Sequence, residues 1–250
     1  MTVLAEFRDG RTCLTSIRQE GLVRCSRPFA LAGGGAALMT SLMGPGALRA
    51  DHYRADGTVM PRAHLTVMTQ AATRLFGGGL STSTAHWRVA DGAFLELLNE
   101  PVVPFAHADC DLRTTLEIAP SARVASLDLV SLTARTPCVL RSRLQITVAQ
   151  RYVVHDRFEL RREPLEGSLA IGTFVFCDPA DSTSGAALFE AVEAIETTGV
   201  RIGIGRPRCG GLFARIIAAH PWAVRETLHR IRAAVFSAAG LPSEVPRGLP

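Results

Sequence analysis

Between residues 59 and 132 apolar and polar positions alternate in short runs, and turn-forming pairs break the alternation at regular intervals. A period of two belongs to strands with one buried face. Three segments share one pattern: Val59-Met60-Pro61-Arg62-Ala63-His64-Leu65, Val89-Ala90-Asp91-Gly92-Ala93-Phe94-Leu95 and Ile118-Ala119-Pro120-Ser121-Ala122-Arg123-Val124. Each runs from a β-branched residue through a turn with Pro or Gly to an alanine, one further residue and an aliphatic. Ala63 to Ala93 is 30 residues and Ala93 to Ala122 is 29. Strand-like sequence flanks the copies, at 85–89 and 94–98 around the second and at 112–118 and 124–132 around the third. Pro or Gly sets the turn, and the alanine leaves room where the turn meets the next strand. A recurring strand-turn-strand unit predicts stacked β layers, each covering a face its neighbour cannot bury alone. The competing arrangement is an antiparallel sandwich with three similar hairpins. Turns in register along one edge would select the stack.

Outside the repeat the pattern predicts short strands at 3–7, 12–17 and 22–25, separated by Asp9-Gly10 and Glu20-Gly21. Asp-Gly between such runs is a hairpin signal. Further strands are expected at 143–149 and 152–160, joined around Gln150-Arg151. Leu188, Val192 and Ile195 mark a helix over 184–197, with Asp181 to Ser184 as caps and Gly199 as the stop. Residues 212–218 read as a strand after Gly210-Gly211. Residues 221–239 form the clearest helix, with Pro221 in the first turn, Val224, Leu228, Ile231, Val235 and Ala238 in one stripe, and Gly240 at the end. The expected fold is mainly β: a β-helix or solenoid-like stack with a small C-terminal α/β portion containing about two helices. One domain spans residues 1–250, with β layers over 1–180, a helix-strand-helix portion over 181–240 and a loose tail over 241–250.

Composition narrows the function more than the fold. At 47% hydrophobic and 20% charged the chain reads as folded, and its net charge of +4 comes from scattered basic residues with no run of them. Nucleic acid is therefore not an expected partner. No lysine occurs, so all 27 basic residues are arginine. That excludes a P-loop and any Schiff-base mechanism. Six widely spaced cysteines with no C-x-x-C pair are neither a zinc finger nor a dense disulfide framework. Residues 31–48 are apolar and uncharged but hold five glycines and a proline, which favours a buried strand and loop over a membrane span. With no signal-peptide pattern at residues 1–10, a reduced, cytoplasmic protein without a membrane partner is expected.

Candidate chemistry is sparse. No G-x-S-x-G, H-E-x-x-H or phosphate-cradling glycine loop with the required flanks is present. His107-Ala108-Asp109-Cys110 offers donor types that suit nickel or zinc, so His107, Asp109 and Cys110 are candidate metal ligands. Neighbours in a strand point to opposite faces, so a loop would have to bring them together; a polar loop before Leu112 is the plainer reading. Residues 65–79 (LTVMTQAATRLFGGG) run from a strand into small and polar residues. Gln70, Thr73 and Arg74 offer directed hydrogen bonds that a core does not require, although a solvated edge strand could carry the same residues. Glu96 and Glu100 frame Leu97-Leu98-Asn99 without the geometry of an acid/base pair, so a structural or interface use fits them better.

These stretches resemble the UreD (UreH) family of urease accessory proteins over about residues 3–240, as a divergent member. LTVMTQAATRLF is similar to the family's apolar strand leading into Thr-Gln-Ala-Ala-Thr-Lys. VADGAFLELLNEPVVPF resembles its run ending in Leu-Pro-Gln-Glu-Thr, and GGLFARIIA before a long helix resembles its C-terminus. GRTCLT near residue 10 and RPF at 27–29 fit as well. Asp51 falls where the family has Gly-Asp after a glycine-rich segment. Arg74 replaces the usual lysine, Ala50 replaces the glycine, and residues 132–135 stand where a Leu-Gly-Arg segment is usual. The resemblance implies a non-enzymatic β-helical scaffold that binds UreF, and through it the GTPase UreG, on apo-urease so that nickel can enter. It implies no tightly bound cofactor, only transient nickel. Asp51, Gln70, Thr73, Arg74, Glu96 and Glu100 are then candidates for an internal route or a partner interface. The rival readings are a β-solenoid enzyme acting on sugars or acyl groups, with His107 and Asp109 as acid and base, and a β-rich binding module unrelated to metal.

Overall fold

The computed structural model describes residues 1–132, 137–162, 168–181 and 185–242. Most of the divergent segment at 132–135, the expected caps at 182–184 and the tail beyond 242 lie outside the described residues. The chain enters through a hairpin of β1 (Thr2–Arg8) and β2 (Arg11–Arg18). Asp9 and Gly10 close it with φ of 50° and 79°, the paired left-handed conformation that matches strand twist. β3 (Val23–Cys25) and β4 (Phe29–Ala30) both pair with β5 (Ala36–Leu42), so the glycine-rich segment is a strand with loops on either side.

From β6 the chain winds. β6 (His52–Val59) lies in one sheet and β7 (His64–Thr69) in the other, and β8 (Thr73–Leu75) begins the return. β9 (Leu80–Val89), β10 (Phe94–Leu98) and β11 (Val102–Pro104) repeat the circuit, as do β12 (Asp109–Ile118) and β13 (Arg123–Leu132). Within each sheet these strands pair in parallel, which yields a β-solenoid of about four turns. The stack, not the hairpin sandwich, is what forms.

The repeat explains the register. Val59, Val89, Ile118 and Val148 face one another across one sheet, while His64, Phe94 and Arg123 do so across the other. The three turns lie along one edge as expected. The Arg62 amide donates to the Asp91 carbonyl at 3.2 Å, and the Gly92 amide donates to Ser121 Oγ at 3.1 Å. Ala63, Ala93 and Ala122 are fully buried, so a larger side chain there would separate the layers. Gly57 has a similar cause. A Cβ at this position would sit 2.0 Å from the Trp87 ring, which fills the core opposite it.

The winding stops at Val148. β14 (Cys138–Val148) is followed by β15 (Arg151–Arg162) in the same sheet, because Ala149 and Gln150 adopt φ of 46° and 64° and turn the chain straight back. The turn thus sits one residue before the expected Gln150-Arg151. β16 (Leu169–Cys177) then pairs antiparallel with β13, and β17 (Val200–Gly205) and β18 (Leu212–Ala218) extend that sheet. β16 and β17 were not expected as elements from the pattern. The final orders are β15-β14-β12-β9-β6-β1-β2 and β17-β18-β16-β13-β10-β7-β5-β3.

Two helices cover the outer face of the larger sheet. α1 (Gly185–Glu193) ends well before the expected stop, and Gly199, at φ 70°, opens the β17 strand instead. α2 (Pro221–Ala238) buries Val224, Leu228, Ile231, Val235 and Phe236 against β13, β16 and β18, while Ala238 is exposed and not part of the stripe. Its end is locked by two bonds, Gly240 amide to Ser237 carbonyl and Leu241 amide to Phe236 carbonyl. Gly240 has φ 63°, the Schellman arrangement, and Leu241 is buried. Leu241 is thus part of the helix cap.

One departure from the family pattern carries a measurable consequence. Ala50 has φ 61°, where glycine is at ease and alanine costs about 1 kcal/mol or more. Glycine's greater freedom in the unfolded chain offsets part of that. Ala50→Gly is expected to raise stability by up to about 1 kcal/mol, read as a higher urea midpoint at unchanged slope. A lower midpoint would refute the strain.

Candidate functional site

The nine residues singled out from sequence do not converge on one site. Asp51 anchors a turn: its Oδ2 accepts the Leu48 amide at 2.7 Å and the Tyr53 hydroxyl at 2.8 Å. Those bonds, the amide first, hold its carboxyl below the usual range, while burial, and then Asp51, pushes the Tyr53 phenol up to about 12. Gln70 and Arg74 are exposed and Thr73 is half-buried. Here the strand is interrupted and not ended, since Thr73 resumes pairing as β8 beside β11.

His107, Asp109 and Cys110 are not gathered into a donor set. His107 sits exposed in a turn at φ 62°, Asp109 is ion-paired with Arg141 at 2.6 Å, and Cys110 is buried against Ser81 Oγ at 3.3 Å. Among the described residues no group of three His, Cys, Asp or Glu is placed to hold a metal. His107 lies in the turn before β12, and alternation from Asp109 onward turns the Asp109 and Cys110 side chains to opposite faces.

Glu96 points away from the space between the sheets and into the α2 interface. Both its oxygens meet Arg232, at 2.5 and 3.0 Å, and Thr66 Oγ1 donates to it at 3.1 Å. Arg232 also lies 4.4 Å from the Phe236 ring centre. This carboxylate fastens the helix to the solenoid and is not available to an internal route. Glu100, by contrast, borders two spaces and pairs with Arg225 of α2 at 2.8 Å.

Between the sheets two apolar clusters, around Trp87 and around Leu140, are separated by a polar belt. Alternation along β13 sends Leu127 and Leu129 to the helix side and Ser126, Asp128 and Val130 inward. Asp128 accepts from Asn99 Nδ2 at 2.8 Å and from Ser126 Oγ at 3.2 Å. Opposite it, Arg215 of β18 holds Asp156 of β15 through both carboxylate oxygens at 2.6 Å, with Phe158 4.7 Å beneath the guanidinium. A cavity of about 50 Å³ lies among Asn99, Glu100, Thr114, Asp128, Asp156 and Thr173. That is room for a few waters. Asp128 lies deep in the molecule yet keeps some accessible surface because it borders this cavity. A second, more open space of about 300 Å³ lies between α2 and the sheet, lined by Thr69, Pro101, Arg225 and His229. Asn99 and Glu100 wall both.

Burial, with the nearby Asp156 charge adding to it, pushes the Asp128 carboxyl up, against the opposing bonds from Asn99 and Ser126 and the charge of Arg215. The unfolded chain therefore gives up this proton at lower pH than the folded protein does. Stability from this group is complete below the ordinary value of 3.8 and is lost as pH rises through the elevated folded value. Asp128→Asn is expected to be at least as stable as the parent at pH above about 7, with the difference shrinking as the pH falls toward about 4. Urea midpoints across that range would show it, and a variant less stable at every pH would contradict it.

A β-solenoid with a polar belt between its sheets, closed on one face by two helices, is the class of protein these observations define. The chain belongs to the UreD family: the model described as "UreD urease accessory protein" matches residues 2–248. It is similar to the urease accessory proteins UreD of Deinococcus radiodurans, with 29% identity over 94% of this chain and 90% of that protein, and of Bacillus sp. strain TB-90, with 27% over 87% and 90%. The UreD of Delftia acidovorans is 30% identical over 66% of this chain and 57% of that protein's length. The relatives are accessory proteins by name. No described helix is long and apolar enough to cross a membrane.

Proposed function

We propose that this chain is a non-catalytic scaffold of urease maturation, which joins UreF-like and UreG-like proteins on apo-urease and offers nickel a passage through its interior. The observation that carries the reading is the polar belt. A solenoid of this size is best stabilised by a continuous apolar core, and this one interrupts it with Asp128, Asp156, Asn99 and Thr173 around water-sized space. Nickel here is cargo, not a resident cofactor. Oxygen donors and water bind it weakly enough to release it, whereas the nitrogen and sulfur of a closed site would retain it. The buried thiols Cys110 and Cys177 lie in the apolar clusters and outside this passage. Glu100, at the wall between the two spaces, stays in the account as a route residue. Exposed Gln70 and Arg74 belong on the partner side instead. The working compartment is the cytoplasm.

The test is co-purification. Tagged chain, expressed with the urease subunits and the UreF-like protein, is expected to bring both down. Gln70→Leu combined with Thr73→Leu should weaken that capture while leaving the melting temperature unchanged. Recovery of the chain alone under these conditions would overturn the scaffold reading.

A further inference from the structure

The outer face of the seven-stranded sheet carries an arrangement that the fold does not need. Register places Arg54 opposite Thr84, Thr84 opposite Arg113, Arg113 opposite Arg143, and Arg143 opposite Arg157. Alternation turns Thr114, Ser142 and Phe158 toward the interior cavity and sets Arg113, Arg143 and Arg157 on the outer face side by side on β12, β14 and β15, although Arg143 also borders the cavity. Like charges directly opposite one another destabilise a sheet. Several other arginines of this sheet are compensated: Arg54 by Asp56, Arg88 by Glu117, Arg141 by Asp109 and Arg161 by Glu159. Arg113 pairs with Asp111, which also feels Arg143. Arg143 and Arg157 form no ion pair among the described residues. Arg143 Nε is moreover the one buried side-chain nitrogen or oxygen among them that lacks a hydrogen-bond partner. Two of the row's three guanidiniums thus stand without an anion.

We propose that this row docks an acidic helix of a partner protein, with carboxylates at i, i+4 and i+7 meeting Arg113, Arg143 and Arg157. Neighbouring strands are about 4.8 Å apart, so the row spans about 10 Å. Residues i and i+7 of a helix are separated by a similar rise of about 10.5 Å, with i+4 between them. A guanidinium takes a carboxylate through two parallel bonds, which suits a chain whose basic residues are all arginine. A nucleic-acid strand fits less well. Asp56, Asp111, Glu117 and Glu159 flank the row and would repel a continuous phosphate backbone. The inference goes beyond the urease reading and stands or falls without it.

The probe is a labelled helical peptide of about 20 residues with glutamates at i, i+4 and i+7, beside a scrambled peptide of the same composition and a single-stranded oligonucleotide. Binding to the purified full chain is followed by fluorescence anisotropy at about 0.05 and 0.15 M salt. The patterned peptide is expected to bind more tightly than the scrambled one, and more weakly at the higher salt. Arg143→Gln with Arg157→Gln should lower its affinity about tenfold while the melting temperature holds or rises, since like-charge repulsion is relieved. Arg157→Gln alone, on the edge strand, should show a smaller loss of the same kind. Equal binding of patterned and scrambled peptides, tighter binding of the oligonucleotide, unchanged affinity in the variants, or a fall in melting temperature would each overturn the proposal.

Discussion

Arg232→Met is expected to destabilise the protein by about 3–5 kcal/mol, because it leaves the Glu96 carboxylate buried without its cation. Glu96 and Arg232 are 1% and 4% exposed at their side chains, and they join β10 to α2 across 136 residues of sequence. The gain from such a pair against a well-packed apolar alternative is small, because both charges lose their water. The loss on breaking it from one side is large. The same reasoning makes the double variant, Glu96→Leu with Arg232→Met, recover most of the stability lost by Arg232→Met alone. Guanidinium unfolding of the three proteins measures this directly. A single variant within about 1 kcal/mol of the parent would mean that water reaches the pair and that α2 is held by its apolar stripe alone.

Leu228→Asp should cost more than about 4 kcal/mol, through lost packing and a buried charge together. Leu228 is 2% exposed and lies over Gly172 of β16, where a Cβ would come within 2.6 Å of Val224 and 3.0 Å of Leu228. The glycine lets the helix approach the sheet closely, so the site has little slack in which to accommodate a substitution. The melting temperature should fall by many degrees, and an unchanged one would place this stripe on a partner-facing surface instead.

How much of this was legible in the sequence follows from the range of each interaction. The solenoid was legible because its signal is local and repeated: Ala63, Ala93 and Ala122 mark the same turn three times, and strict register follows from that spacing. β16 was not, since LAIGTFVFC is apolar apart from Gly172 and Thr173 and gives no period to read. The reversal at Ala149-Gln150 falls one residue before the turn the pattern predicts, because neither residue is a usual occupant of a left-handed turn. The polar belt is hidden in the sequence for another reason. Asp128, Asp156 and Arg215 come from three strands, and each alone reads as a polar position on a solvated face. A hint was available in Ser126-Leu127-Asp128-Leu129, whose polar residues alternate with leucines inside a strand that layers cover on both sides. The row of Arg113, Arg143 and Arg157 became visible only when the register was known.

The claim that this chain serves urease maturation is tested most directly by the nickel content of urease purified from cells with and without it. Urease from cells expressing the chain is expected to carry nickel and activity, and urease from cells lacking it to be intact in subunits but largely free of both. Asp128→Leu, which removes oxygen donors from the belt, should leave the chain bound to urease and lower the nickel content. Fully nickel-loaded, active urease in cells without the chain would contradict the account.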